Sequence, residues 1–124
     1  MSVTSHRAEA AQRQIQRAIV WASESLELTD QEVGAALGAS ARSVMRWRDA
    51  THHPSGRHLE AAERLMVLAL ALDDAFKGDL ARMHAWLHEP LPVFKGETPL
   101  RRILRGAVDE VVVVVAGVEG GAFA

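Results

Sequence analysis

The chain has 124 residues, 48% of them hydrophobic and 24% charged, so it can bury one real core, as a single unit or as two closely packed subdomains, and is too apolar to be a free-standing disordered segment. Fourteen Lys and Arg against sixteen Asp and Glu give a formal net charge of -2, which argues against coating nucleic acid by bulk positive charge. Cysteine is absent, excluding disulfides and thiol catalysis. There is no basic-then-apolar leader and no apolar run near the roughly 20 residues that a bilayer requires, so a cytoplasmic, soluble protein is expected.

Residues 1–5 are expected to fray, and residues 6–24 predict a helix. Ala8, Ala11, Ile15, Ala18, Ile19 and Ala22 recur at spacings of three and four, with Arg13, Gln14 and Arg17 elsewhere on the cylinder. This helix would support the segment from Leu28 to Trp47.

Residues 28–47, LTDQEVGAALGASARSVMRW, read as two short helices joined by a tight turn, the layout of a DNA-binding helix-turn-helix. Thr29 or Asp30 can cap the first helix, and Glu32 places a carboxylate in its positive first turn. Val33, Ala36 and Leu37 form its apolar stripe. Gly38 suits the left-handed backbone that ends a helix, and Ser40 restarts the chain as a second cap. In the second helix Val44 and Trp47 point inward, leaving Ala41, Arg42, Ser43, Met45, Arg46 and Arg48 toward solvent. Such a face suits a major groove: arginine forks onto guanine or grips phosphate, serine bonds either, and alanine permits close approach. Ser40, Arg42, Ser43, Arg46 and Arg48 are therefore the candidate DNA-binding residues. The bland alternative is an ordinary two-helix corner with a solvated basic face. Between Ser40 and His58 the cations are Arg42, Arg46, Arg48 and Arg57 and the only acid is Asp49, whereas from Leu59 onward there are ten acids and seven cations. The basic footprint coincides with the second helix.

Residues 50–56, ATHHPSG, form the clearest linker, because Pro54 and Gly56 punctuate a stretch without apolar periodicity. The chain is accordingly divided into residues 1–56 and 57–124. From Leu59 to Phe76 apolar residues occupy so much of the helical circumference that the segment must be central to a core or a dimer interface. Gly78 ends it, and Asp79 can cap a further helix from Leu80 to Leu87, carrying Trp86 and stopping before Pro90. LPVFKGE reads as extended and loop-like. Thr98 and Pro99 then start a helix, threonine as cap and proline in the first turn. The five valines 111–115 favour a strand by local propensity. Against that, Leu100, Ile103, Leu104, Ala107, Val108, Val111, Val112 and Val115 continue one unbroken helical stripe, so a helix is expected. The fold class is all-α, an N-terminal helix-turn-helix subdomain packed with a C-terminal helical subdomain.

Trp86-Leu87, Pro90, Gly96-Glu97-Thr98-Pro99-Leu100, Leu104 and Gly106, followed by an apolar helix and a Gly-rich tail ending in Phe123-Ala124, resemble the toxin-binding domain of the Xre/MbcA/ParS-type bacterial antitoxins. Residues 28–47 look like the Xre-type helix-turn-helix of the same proteins, so the resemblance covers roughly residues 28 to 124. It implies an antitoxin that binds and blocks a cognate RES-domain, NAD-consuming toxin and represses its own operon. The partners implied are that toxin, operator DNA and a second copy of the chain, with higher hetero-oligomers of antitoxin and toxin. It also implies that Glu119, Gly120, Gly121, Ala122, Phe123 and Ala124 form the inhibitory, toxin-binding end. The chemistry suits this: two glycines enter a narrow cleft, Phe123 offers an apolar anchor, and the terminal carboxylate can meet cations meant for a pyrophosphate. Trp86, Pro90, Gly96, Thr98 and Pro99 are assigned mainly to the fold. The tail departs from the family pattern in having Glu119-Gly120-Gly121 where a polar residue and one glycine are usual.

His84 and His88 lie at metal-ligand spacing on a helix, with His52, His53 and His58 near the linker and Glu89 available as a base. The remainder of a zinc-hydrolase motif is missing, since Ala85 follows His84 and Pro90 breaks the helix. Neither a catalytic residue, a metal nor a cofactor is expected. The rival to the antitoxin reading is a stand-alone helix-turn-helix regulator whose C-terminal half dimerises or senses another ligand.

Overall fold

A computed structural model of the chain describes residues 3–117; the predicted toxin-binding residues Glu119, Gly120, Gly121, Ala122, Phe123 and Ala124 lie outside the described residues. The described residues form seven α-helices and no strand: α1 (Val3–Glu24), α2 (Asp30–Leu37), α3 (Ala41–Arg48), α4 (Gly56–Phe76), α5 (Leu80–Leu87), α6 (Pro99–Leu104) and α7 (Val108–Gly117). The all-α fold class expected from the sequence is present. The chain divides into two compact units, Met1–Glu63 and Arg64–Ala124, so the division falls inside α4.

In the first unit α1 packs on both α2 and α3. Its inward stripe is Ile15, Ala18, Ile19 and Ala22, all essentially inaccessible, whereas Ala8 and Ala11 are only half-buried. The core is completed by Leu26, Leu28, Val33, Ala36, Leu37, Val44, Trp47, Ala61 and Ala62. Burying one Leu or Ile side chain contributes about 1.5–3 kcal/mol. Helices of eight residues, such as α2 and α3, are below the length at which isolated helices persist in water, so this packing holds them.

The second unit is built on Leu65, Leu68, Leu72 and Phe76 of α4, Met83, Trp86 and Leu87 of α5, Leu91 and Phe94, Ile103 of α6, and Val108, Val111 and Val115 of α7. The rings of Phe76 and Trp86 meet at 5.8 Å between centroids. Asp79 caps α5 by accepting from the Arg82 amide at 3.1 Å, and Thr98 caps α6 by accepting from the Arg101 amide at 3.1 Å.

Two expectations in this region are corrected. LPVFKGE is not simply extended: Pro92–Phe94 is a 3-10 turn, and Lys95 and Gly96 come next with left-handed φ of 56° and 88°. Proline supplies the turn's fixed φ, and burial of Leu91 and Phe94 on either side pins it to the core. The stripe from Leu100 to Val115 is not one helix. Gly106, at φ 85°, ends α6, and the Ala107 amide donates back to Arg102 O at 2.9 Å in the closed turn that a glycine permits. The valine run 111–115 is helical. Val108, Val111 and Val115 fall at spacings of three and four and are fully buried, and Asp109 and Glu110 occupy the first turn, where carboxylates favour helix. Tertiary burial of that stripe overrides the strand preference of single valines.

Candidate functional site

The second helix of the predicted helix-turn-helix is α3, and the sequence around it explains its placement. Thr29 Oγ1 accepts from the Glu32 amide at 3.2 Å while Glu32 Oε1 accepts from the Thr29 amide at 3.0 Å, a reciprocal cap that starts α2. Gly38, at φ 72°, ends it. The Gly38 amide donates to Ala35 O at 3.3 Å and the Ala39 amide to Gly34 O at 2.7 Å, so two of the last four carbonyls of α2 are satisfied within the turn. Ser40 then caps α3, accepting from the Ser43 amide at 3.1 Å.

Gly34, in the middle of α2, has a role the sequence did not reveal. A Cβ placed there would lie 2.7 Å from Ala39 O and 2.9 Å from the carbonyl carbon of Ser40. Both are backbone atoms and cannot rotate away, so the turn closes onto α2 only because the residue has no side chain.

Three long-range features fix α3. Gln12 Nε2 donates to Trp47 O at 2.6 Å, and Gln16 Nε2 reaches Trp47 O at 3.2 Å and Arg48 O at 3.4 Å; two amides from α1 thus serve carbonyls at the end of α3, where Trp47 O accepts only a longer backbone bond, from the Ala50 amide at 3.3 Å. The Trp47 ring lies against His58, with centroids 4.9 Å apart, and His58 Nδ1 is 2.8 Å from Ser55 Oγ at the start of α4. Arg48 Nη2 donates to Ser23 Oγ and to Asp30 Oδ1, each at 2.7 Å. Only chain topology brings Gln12, Gln16, Ser23, Asp30 and His58 to this helix.

The predicted DNA-binding residues therefore separate by their partners. Arg42 is exposed and Arg46 half-exposed, and no hydrogen bond or ion pair engages either side chain among the described residues. Ser40 and Ser43 stand at the first turn with their hydroxyls 3.2 Å apart, and the Ser40 oxygen also holds the helix cap. Arg48 is tied to Ser23 and Asp30. Met45, three positions after Arg42, is 54% exposed. The outward face of α3 thus presents two free guanidinium groups, four positions apart, with the apolar Met45 flanking Arg42 one turn on, and α3 itself carries no acid.

In the second unit, Arg102 organises the loop that precedes α6. Its Nε is 2.7 Å from Glu97 Oε1, its Nη1 is 2.7 Å from Glu110 Oε2, and its Nη2 donates to Phe94 O at 3.2 Å. The guanidinium lies 5.0 Å above the centre of the Phe94 ring, within cation–π range, and Arg105 pairs with the other oxygen of Glu97. Glu97 thereby ties the 3-10 turn to α6, and Glu110 ties α7 to the same point. A cleft of about 410 Å³ beside this cluster is lined by Val93, Phe94, Lys95, Arg102, Glu110, Val113 and Val114. Trp86, Thr98 and Pro99, assigned to fold, are respectively buried, capping and buried in the first turn of α6; Gly96 holds a left-handed turn and Pro90 is exposed.

His84 lies in the last turn of α5, and His88 is its C-terminal cap. Among the described residues no three His, Cys, Asp or Glu side chains are grouped so as to hold a metal ion, and no helix is long and apolar enough to cross a membrane.

No family model matches the chain, and no curated protein matches it. Among solved structures it matches a chain of the crystal structure of the Mycobacterium tuberculosis MbcT-MbcA toxin-antitoxin complex, at 26% identity and a TM-score of 0.57, over 86% of this chain and 95% of that one. The sequence resemblance to MbcA-type antitoxins therefore extends to the fold over most of the chain, and it supports an antitoxin role.

Proposed function

We propose that the protein is the antitoxin of a toxin-antitoxin pair, binding and blocking a RES-domain toxin that consumes NAD and repressing its own operon through α2 and α3. The observation that carries this reading is the likeness, over 86% of the chain, to a component of a toxin-antitoxin complex. The RES-type target rests on the family resemblance of residues 28 to 124. The DNA-binding arm is supported by the capped α2–turn–α3 unit and the free Arg42 and Arg46 on its outer face. One such unit makes few base contacts, so the protein acts on DNA as a homodimer.

The reading requires a RES-domain protein encoded beside this one, and co-expression of the two tests the first arm. Growth is restored and the two proteins co-purify; failure of both leaves a stand-alone regulator. Removing residues 119–124 is expected to restore most of the toxin's NAD turnover while leaving the circular dichroism spectrum of the antitoxin unchanged. Undiminished inhibition by the truncated chain would place the inhibitory contact elsewhere.

The second arm is tested on the operon's own upstream DNA. Arg42→Ala or Arg46→Ala is expected to weaken binding by about 1–3 kcal/mol where the lost side chain reads a guanine, and by less where it meets only phosphate. Arg48→Ala, whose guanidinium is held by Ser23 and Asp30, is expected to act mainly through stability. Unchanged DNA binding by both the Arg42 and Arg46 variants would remove α3 as the reading helix.

A further inference from the structure

We propose that Met45 is a specificity-determining residue of α3, contacting the 5-methyl group of a thymine beside the guanine taken by Arg42. This rests on the DNA-binding reading of α3 and adds to it a base preference.

The outward face of α3 has few side chains left to offer a ligand. Ser40 is engaged in capping, its hydroxyl shared with Ser43, and Arg48 is held by two partners. Arg42, Met45 and Arg46 remain, and α3 has no acidic residue to repel a nucleic acid. Val44 and Trp47 occupy the opposite, buried side, which fixes the rotation of the helix and hence the direction of the remaining three. Gln12 and Gln16 hold the last turn through Trp47 O, so that rotation is set before any ligand arrives.

Residues three apart on a helix have Cβ atoms roughly 5–6 Å apart, while successive base pairs are about 3.4 Å apart. Arg42 and Met45 therefore reach neighbouring or next-but-one base pairs. Along the major groove, guanine presents two acceptors that match a guanidinium fork. Thymine is the one base that presents an apolar group, its C5 methyl. An exposed methionine, 54% accessible and beside the unpaired Arg42 on the helix face, matches a methyl that flanks the acceptors of a guanine. Its flexible, polarisable thioether adapts to such a group more readily than a branched side chain would. Ala41, small and at the start of the helix, lets the backbone approach closely enough for a contact by van der Waals reach.

The test uses the full chain and duplexes that it selects from a random DNA pool. In the selected duplex each thymine is replaced in turn by deoxyuridine, which removes only the methyl, and each guanine by 7-deazaguanine, which removes one acceptor. Deoxyuridine at one thymine per half-site is expected to weaken binding by the wild-type protein about four-fold, the worth of one buried methyl. That penalty disappears in Met45→Ala, whereas the 7-deazaguanine penalty persists in Met45→Ala and disappears in Arg42→Ala. Because Met45 is exposed, its replacement leaves the core intact, and an unchanged melting curve verifies this. A deoxyuridine penalty of equal size in wild type and Met45→Ala, or selected duplexes indifferent to every thymine methyl, overturns the Met45 assignment while leaving DNA binding in place. Selection of no duplex at all overturns the DNA-binding reading itself, and the Met45 assignment with it.

Discussion

Replacing Gly34 by valine is expected to disrupt the packing of α2 against the turn to α3, at a cost of about 3 kcal/mol or more, and even Gly34→Ala is expected to cost about 1–3 kcal/mol. The sign is informative because helix propensity alone points the other way: alanine in a helix interior is favoured over glycine by about 1 kcal/mol. The new Cβ would sit 2.7 Å from Ala39 O and 2.9 Å from the Ser40 carbonyl carbon. Those atoms belong to the turn whose Ala39 amide is bonded to Gly34 O at 2.7 Å, so relieving the clash means opening that turn. Gly38→Ala is the useful comparison. At φ 72°, with nothing within 4 Å of the added atom, it carries only the conformational cost, about 1–2 kcal/mol. Thermal melts of the three variants rank them Gly34→Val, Gly34→Ala or Gly38→Ala, then wild type. A Gly34→Ala protein as stable as wild type would mean that the turn does not close onto α2 at this distance.

Arg102→Ala is expected to cost about 3 kcal/mol in the second unit. The side chain is 20% exposed and Glu97 19% exposed, so this is a partly desolvated pair rather than a surface one. Truncation removes one partner of Glu97 and of Glu110, the bond to Phe94 O and the guanidinium over the Phe94 ring. Hydrogen bonds to charged groups contribute about 1.5–3 kcal/mol, and leaving a half-buried carboxylate with fewer partners adds to the loss. Arg102→Lys is expected to recover only part of it, since an ammonium cannot present a planar fork to Glu97, Glu110 and a carbonyl together. Glu110→Gln, at a 54% exposed position, is expected to cost less than about 1 kcal/mol. A double-mutant cycle between Glu97 and Arg102 is expected to yield a coupling of about 1–3 kcal/mol. A coupling near zero would show that the loop is held by Leu91 and Phe94 alone.

Much of the first unit could be read directly. The caps at Thr29 and Ser40, the left-handed Gly38 and the inward Val44 and Trp47 are all where the sequence pattern places them. The same holds for α5, from its Asp79 cap to Leu87. The region after Pro90 was less legible. Continuous apolar periodicity hid the break at Gly106, because a single helix and two helices meeting at a corner can bury residues at the same spacing. The 3-10 turn at Pro92–Phe94 is not legible in the sequence, because nothing local states that Leu91 and Phe94 are both buried in the core.

The sequence alone determined what acts over one or two turns of chain. Side-chain caps, glycine stops and the spacing of apolar residues depend on neighbours three or four positions away, and those are written next to one another. Tertiary structure decided which polar groups remain free. Arg42, Arg46 and Arg48 are alike in sequence, but only Arg48 meets Ser23 and Asp30, because α1 and α2 both pack on its helix. The glutamines that hold Trp47 O lie 35 and 31 positions away, and the crowding at Gly34 exists only once the turn has closed. It also decided the conformation of the five valines, since the burial of Val111 and Val115 outweighs the local strand preference of β-branched side chains.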